Sequence, residues 1–256
     1  QANAATDHLL PVGYNSANAE IYNLDLAETY CYLITGAAKT GKKNFMKIMI
    51  ESARLKDSQI CIIDGNGSLN QYANQGDLSY LANAEEMFDY FKSTLTPVFQ
   101  ERNKIKRRIL AEGGEEEELY SYTRKEQPVF IFITDMLWFI NTIYSPEGIA
   151  QKSNGFMQTL TMKGRYHNIY FIGALNIGDK SGVRGYDTFK NFISYGTGIH
   201  FGGKISANDM LNFDYMPFKE REKSEKAGIG QIPELDGEAP VQKIVVPLLG
   251  KRKKKS

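Results

Sequence analysis

Apolar residues fall along the chain in short runs divided by turns, and the spacing inside the runs switches between two periods. Tyr30 to Thr35 (YCYLIT), Gln59 to Ile63 (QICII), Val129 to Ile133 (VFIFI) and Ile169 to Leu175 (IYFIGAL) are nearly continuous apolar runs. Strands buried on both faces of a parallel sheet require that pattern. Ile21 to Leu26 and Gln242 to Pro247 read as two further strands. Between the runs the period becomes helical. After Lys42, the residues Phe45, Ile48, Met49, Ala53 and Leu55 share one face. Over Glu85 to Leu110, Phe88, Phe91, Leu95, Val98, Phe99, Arg102, Ile105 and Ile109 recur at three- and four-residue steps, and the last turns carry the Lys and Arg that a helix C-terminus prefers. A shorter helix is expected over Gly155 to His167. Asp64 to Gly67 makes a turn, Glu112 to Glu118 reads as an exposed loop, and Phe189 to Gly203 is rich in glycine and aromatics. Strands alternating with helices predict a three-layer α/β domain with a mostly parallel sheet. No internal repeat interrupts it.

Composition narrows the class. The 256 residues are 42% hydrophobic and 24% charged, the balance of a globular protein with a sizeable core. The longest apolar stretch, Val129 to Ile140, is broken by Thr134 and Asp135, well short of the ~20 residues needed to cross a bilayer. Net charge is +1, but Lys251 to Lys255 hold five positive charges, which leaves −4 on the rest. An acidic body argues against a sequence-specific nucleic-acid reader. The tail reads first as a solvated end and second as a handle for anionic lipid or nucleic acid. Residues 1–9 read as a linker, 10–250 as the domain and 251–256 as a basic tail. A start at Gln1 without a signal segment suggests a piece of a longer chain. Cys31 and Cys61 both sit in apolar runs, as buried thiols of a reducing compartment do.

One loop carries chemistry. Gly36, Ala37, Ala38, Lys39, Thr40, Gly41 and Lys42 satisfy G-x-x-x-x-G-K between a predicted strand and a predicted helix. Such a loop wraps a polyphosphate in backbone N–H groups, with the helix dipole facing the anion and the lysine reaching its outer phosphates. The plainer alternative is an ordinary strand-to-helix turn. The next position should be Ser or Thr to ligate Mg²⁺; it is Lys43, followed by Asn44. An ammonium cannot ligate a metal. The second expected part, an acid at the end of a buried strand, is met by Asp135 after VFIFIT, which could instead cap a helix over Met136 to Tyr144. Met136 stands where active ATPases carry a glutamate. His8, His167 and His200 have no metal-ligand spacing and read as structural or exposed.

With these pieces placed, the chain resembles an FtsK/SpoIIIE-type ATPase domain over about Leu10 to Gly250. The likeness rests on LPVGYN (Leu10 to Asn15), LDL (Leu24 to Leu26), IIDGNGSL (Ile62 to Leu69) and KGRYHNIYFIGALN (Lys163 to Asn176), taken in order with the phosphate loop. Within that family it is most similar to the C-terminal, third ATPase domain of EssC/EccC-type membrane ATPases of type VII secretion. The resemblance implies a RecA-like P-loop NTPase fold and a sensor-like position at Asn176, where glutamine is common. It further implies a cytoplasmic domain of a bacterial membrane-anchored protein with neighbouring ATPase domains in the same parent chain. Lys43 and Met136 depart from an active member, so the expectation is a degenerate domain that holds ATP weakly, does not use Mg²⁺, and serves substrate docking or regulation. Rival readings are a working ATP-hydrolysing secretion motor and a DNA translocase. Clients implied by the family are secreted WXG100 helical proteins. For them the sequence offers Asp209 to Phe218 (DMLNFDYMPF), where Met210, Phe213 and Met216 suit an adaptable groove, against the alternative of ordinary core.

Overall fold

A computed structural model describes residues 8–146, 148–233 and 241–249. Ten strands form one sheet: β1 (Leu9–Asn15), β2 (Ile21–Asp25), β3 (Cys31–Gly36), β4 (Gln59–Ile63), β5 (Ser79–Leu81), β6 (Val129–Ile133), β7 (Ile169–Asn176), β8 (Gly198–Phe201), β9 (Ile229–Ile232) and β10 (Gln242–Val245). Their order is β2-β1-β10-β9-β8-β3-β7-β6-β4-β5. From β8 to β5 the strands run parallel, and from β8 outward to β2 every pairing is antiparallel. The helices are α1 (Lys42–Arg54), α2 (Ala84–Tyr90), α3 (Thr96–Ala111), α4 (Leu119–Thr123), α5 (Met136–Ile143), α6 (Asn154–Lys163), α7 (Asp187–Ile193) and α8 (Phe218–Arg221).

The parallel strands alternate faces residue by residue, and each face has its own core. Phe130 and Phe132 point into one, with Ile34, Ile62 and Ile172, and are covered by Phe45, Met46, Met49 and Ile50 of α1. Ile131 and Ile133 point into the other, among Met136, Phe139, Leu160 and Phe192 from α5, α6 and α7. This is the three-layer arrangement that the apolar runs predict.

Several elements differ from expectation. β1 was legible only as a family motif, because Pro11 and Gly13 spoil its period, and the register against β2 shifts between those two residues. Leu9 belongs to that strand rather than to a linker; residues 1–7 and the basic tail 251–256 lie outside the described residues. Leu55 does not join the buried face of α1: it lies just past the helix end and is 83% exposed. The helix expected over Gly155 to His167 stops at Lys163, and Tyr166 and Asn168 take left-handed backbone, φ 69° and 53°. The long helix is interrupted by a π turn at Phe91–Leu95 that joins α2 to α3. Beyond it, the buried Arg102 guanidinium donates to the carbonyls of His167 (2.7 Å), Asn168 (2.7 Å) and Gln127 (2.6 Å), at the feet of β7 and β6. Cys31 and Cys61 are buried, as are His167 and His200.

Candidate functional site

The loop between β3 and α1 is shaped by its backbone. Gly36 has φ +139°, and a Cβ there would lie 1.9 Å from the Phe201 carbonyl oxygen, so only glycine fits against β8. The same oxygen accepts from Ala37 N (3.2 Å) and Thr40 Oγ1 (2.7 Å), and Thr40 Oγ1 also reaches Ala37 O at 2.8 Å. Gly41, φ +124°, starts α1 without a side-chain cap, so the first N–H groups of that helix have no side-chain acceptor from the cap position. Lys42 folds back over the loop, its Nζ donating to Gly36 O (2.9 Å) and Ala37 O (2.5 Å). Burial pulls the Lys42 pKa down to about 8, against the opposing pull of Asp179.

A cavity of about 450 Å³ opens over this loop. Ala38, Lys39, Thr40, Gly41, Lys42, Lys43 and Asn44 all line it, while Gly36 and Ala37 do not. Asn176, at the tip of β7, joins the lining and donates from Nδ2 to Asp179 Oδ2 (3.1 Å). Asn44 carries a second task that the sequence did not reveal: its Nδ2 donates to Pro247 O (2.8 Å) and its Oδ1 accepts from Leu249 N (3.1 Å), tying the segment after β10 to the start of α1.

Asp135 is not where the reading of a metal-holding acid puts it. Past the end of β6, Thr134 lines the cavity and Asp135 does not. Asp135 caps α5, accepting from Leu137 N (2.9 Å) and Trp138 N (3.2 Å), and its second oxygen accepts from Asn66 Nδ2. The helix-cap alternative holds. Met136 is fully buried in the opposite core, so its side chain does not face the loop.

Sequence reasoning missed Lys47, Ser68 and Leu69 in the lining, and also Asp64, which it took as a turn residue. Asp64 is buried and receives Ser68 N (2.9 Å), Ser68 Oγ (3.0 Å), Leu69 N (2.5 Å), Tyr80 Oη (2.7 Å) and Thr134 Oγ1 (2.6 Å). Burial works to raise its pKa, but these hydrogen bonds outweigh burial and hold it below the usual carboxylate range. A carboxylate followed by Gly, Asn, Gly and Ser is the signal that could have found it.

The fold implies Mg²⁺ beside the loop, and the side chains do not fit it. Among the described residues no carboxylate lines the cavity; Lys43 stands at the hydroxyl position; the oxygens of Asp64 and Asp135 are occupied by protein donors. Among the described residues no group of three or more His, Cys, Asp or Glu side chains is placed to hold a metal.

The groove assigned to Met210, Phe213 and Met216 is not a surface. These side chains are 5%, 3% and 6% exposed and belong to the core beneath β3, as the core alternative holds. What that segment leaves outside is Tyr215, 64% exposed, and Phe218, 66% exposed.

No protein-family model matches the chain, and no curated protein does. Solved structures do. The cytoplasmic domain of EssC superposes with a TM-score of 0.77 at 19% identity, over 97% of this chain and 45% of that one. Thermomonospora curvata EccC (ATPases 2 and 3), in complex with a signal sequence peptide, gives 0.69 at 14% over 97% and 42%. The pCW3 conjugation coupling protein TcpA, with ATPγS, gives 0.70 at 14% over 94% and 66%. This chain spans under half the length of the two secretion ATPases. It has the three-layer, RecA-like P-loop ATPase fold that they share, with a mostly parallel sheet and the phosphate loop at the tip of its central strand.

Proposed function

We propose that this chain is a degenerate ATPase domain of a type VII secretion motor, one that binds a nucleotide weakly, does not hydrolyse it, and serves substrate docking or regulation. The observation that carries the reading is the split site: the loop holds Gly36, Lys39 and Gly41 at positive φ before an uncapped helix start, while among the described residues no carboxylate lines the cavity above it. Hydrolysis needs a group that orients the attacking water and a counter-charge for the leaving phosphate, and losing one preorganised group of that kind commonly costs ~10²–10³ in rate. Here Asp135 stands outside the cavity lining as the cap of α5, and Met136 is buried in the core on the other face of the sheet. The parent would be a membrane-anchored protein with this domain in the cytoplasm beside further ATPase domains. Its clients would be secreted WXG100-type helical proteins, a reading supported by the signal peptide bound to the T. curvata EccC.

Phosphate release by the isolated chain should not exceed a matched blank; turnover that disappears in Lys42→Ala would overturn the reading of a silent domain. For docking, the exposed pair Tyr215 and Phe218 replaces the buried methionines as the aromatic anchor. A labelled C-terminal peptide of a WXG100 protein should bind the chain, and Tyr215→Ser with Phe218→Ser should weaken it by tenfold or more, about 1.4 kcal/mol, with the melting temperature held. Equal binding by the double variant rejects this surface.

A further inference from the structure

Four lysines, Lys39, Lys42, Lys43 and Lys47, share one cavity with the neutral side chains Thr40, Ser68, Thr134 and Asn176, and among the described residues no carboxylate enters the lining. Mg²⁺ normally does two things beside a phosphate loop: it neutralises the β and γ phosphates, and it needs oxygen ligands from the protein. The carboxylate ligand is missing from the lining among the described residues, and at the position of the ligating hydroxyl stands the positive charge of Lys43. We propose that the ligand of this cavity is a metal-free polyphosphate, with the Lys43 ammonium in the position of the metal, so that Mg²⁺ opposes binding instead of promoting it. This rests on the reading of the loop as a nucleotide site.

Two observations support the exchange. Lys43 follows Lys42 at the first turn of α1, where a metal-ligating hydroxyl would be, and lines the same cavity. Lys47, one turn further along α1 and in the same lining, has its pKa lowered first by burial and then by the charge of Lys43, so these two ammonium groups repel one another. A tetraanion such as free ATP or a longer inorganic polyphosphate relieves that repulsion. The magnesium complex brings less negative charge and a hydrated cation that Lys43 repels.

Calorimetric titration of the chain with ATP and with inorganic tripolyphosphate, in EDTA and then in excess Mg²⁺, tests this. Both anions should bind without metal, and Mg²⁺ should weaken binding by about tenfold, which corresponds to 1.4 kcal/mol. Lys43→Thr should abolish that weakening. Lys47→Thr should lower affinity for both forms alike and leave the Mg²⁺ effect in place. Tighter binding with Mg²⁺ would overturn the proposal while leaving the nucleotide site standing. Loss of the Mg²⁺ effect in Lys47→Thr to the same degree as in Lys43→Thr would assign it to total charge and reject the role of Lys43. If neither anion binds under either condition, the nucleotide reading itself falls, and this proposal with it.

Discussion

The tip of β3 and the tip of β6 face the same cavity, yet they are built from different materials. At β3 the loop is held by main-chain geometry: Gly36 pressed on Phe201, Lys39 and Gly41 at positive φ, and Gly228 N donating to Thr40 O at 2.9 Å. At β6 everything depends on which side chain occupies one position, and that position is Thr134, bonded to Asp64. A backbone cradle tolerates change in most of its side chains. A catalytic tip does not. Under the proposed reading, anion binding and hydrolysis are separable in this fold, and the first outlasts the second.

The largest effect expected from breaking the cradle is structural. Gly36→Val should cost about 3 kcal/mol or more in urea unfolding, because the new Cβ meets backbone at 1.9 Å in a left-handed conformation. Gly67→Ala, at φ +63° with open space around it, should cost only about 1 kcal/mol. Equal midpoints for the two would remove the case for a rigid loop.

A smaller effect tests the charge in the cradle. The folded Lys42 has a pKa near 8 against 10.5 ordinarily, so between those values the ligand-free protein has released a proton that the unfolded chain retains. Burying the ammonium therefore penalises the fold below pH 8, and the penalty lifts as pH rises from 8 to 10.5. Polyphosphate needs the charged form. Affinity should hold up to pH 7 and then fall by up to about tenfold per pH unit above 8, with proton uptake visible at pH 8.5 as a binding heat that changes with buffer ionisation enthalpy. Constant affinity to pH 9.5 would mean that Lys42 does not meet the anion.

The smallest effect belongs to β6. Asp135→Ala removes the cap of α5 and should cost about 1 kcal/mol of stability, while changing polyphosphate affinity by less than twofold. A tenfold loss of affinity would return Asp135 to the site.

Much of this architecture was legible because parallel strands buried on both faces leave continuous apolar runs, and β4 and β6 fall where QICII and VFIFI place them. The phosphate loop was legible because its spacing encodes backbone shape. What escaped notice depended on neighbours distant in sequence. Asp135 and Thr134 differ by one position, and the path of the chain from β6 into α5 decides which meets the cavity. Met210, Phe213 and Met216 look like a surface until their packing below β3 is seen. Asn44 gave no sign that its amide would hold residues more than two hundred positions away.

The π turn at Phe91–Leu95 has a consequence for insertions and deletions. A regular helix advances about 100° per residue, so widening one turn sets the phase of everything after it, including Arg102. Removing one residue within this turn would leave a smooth helix but swing the guanidinium off the three carbonyls that precede β6 and β7. β6 ends at Ile133, one residue before Thr134, and β7 ends at Asn176. Chain length at the outer helix thus fixes the footing of the two strands whose far ends complete the cavity, and a single-residue trim there would be felt across the whole sheet.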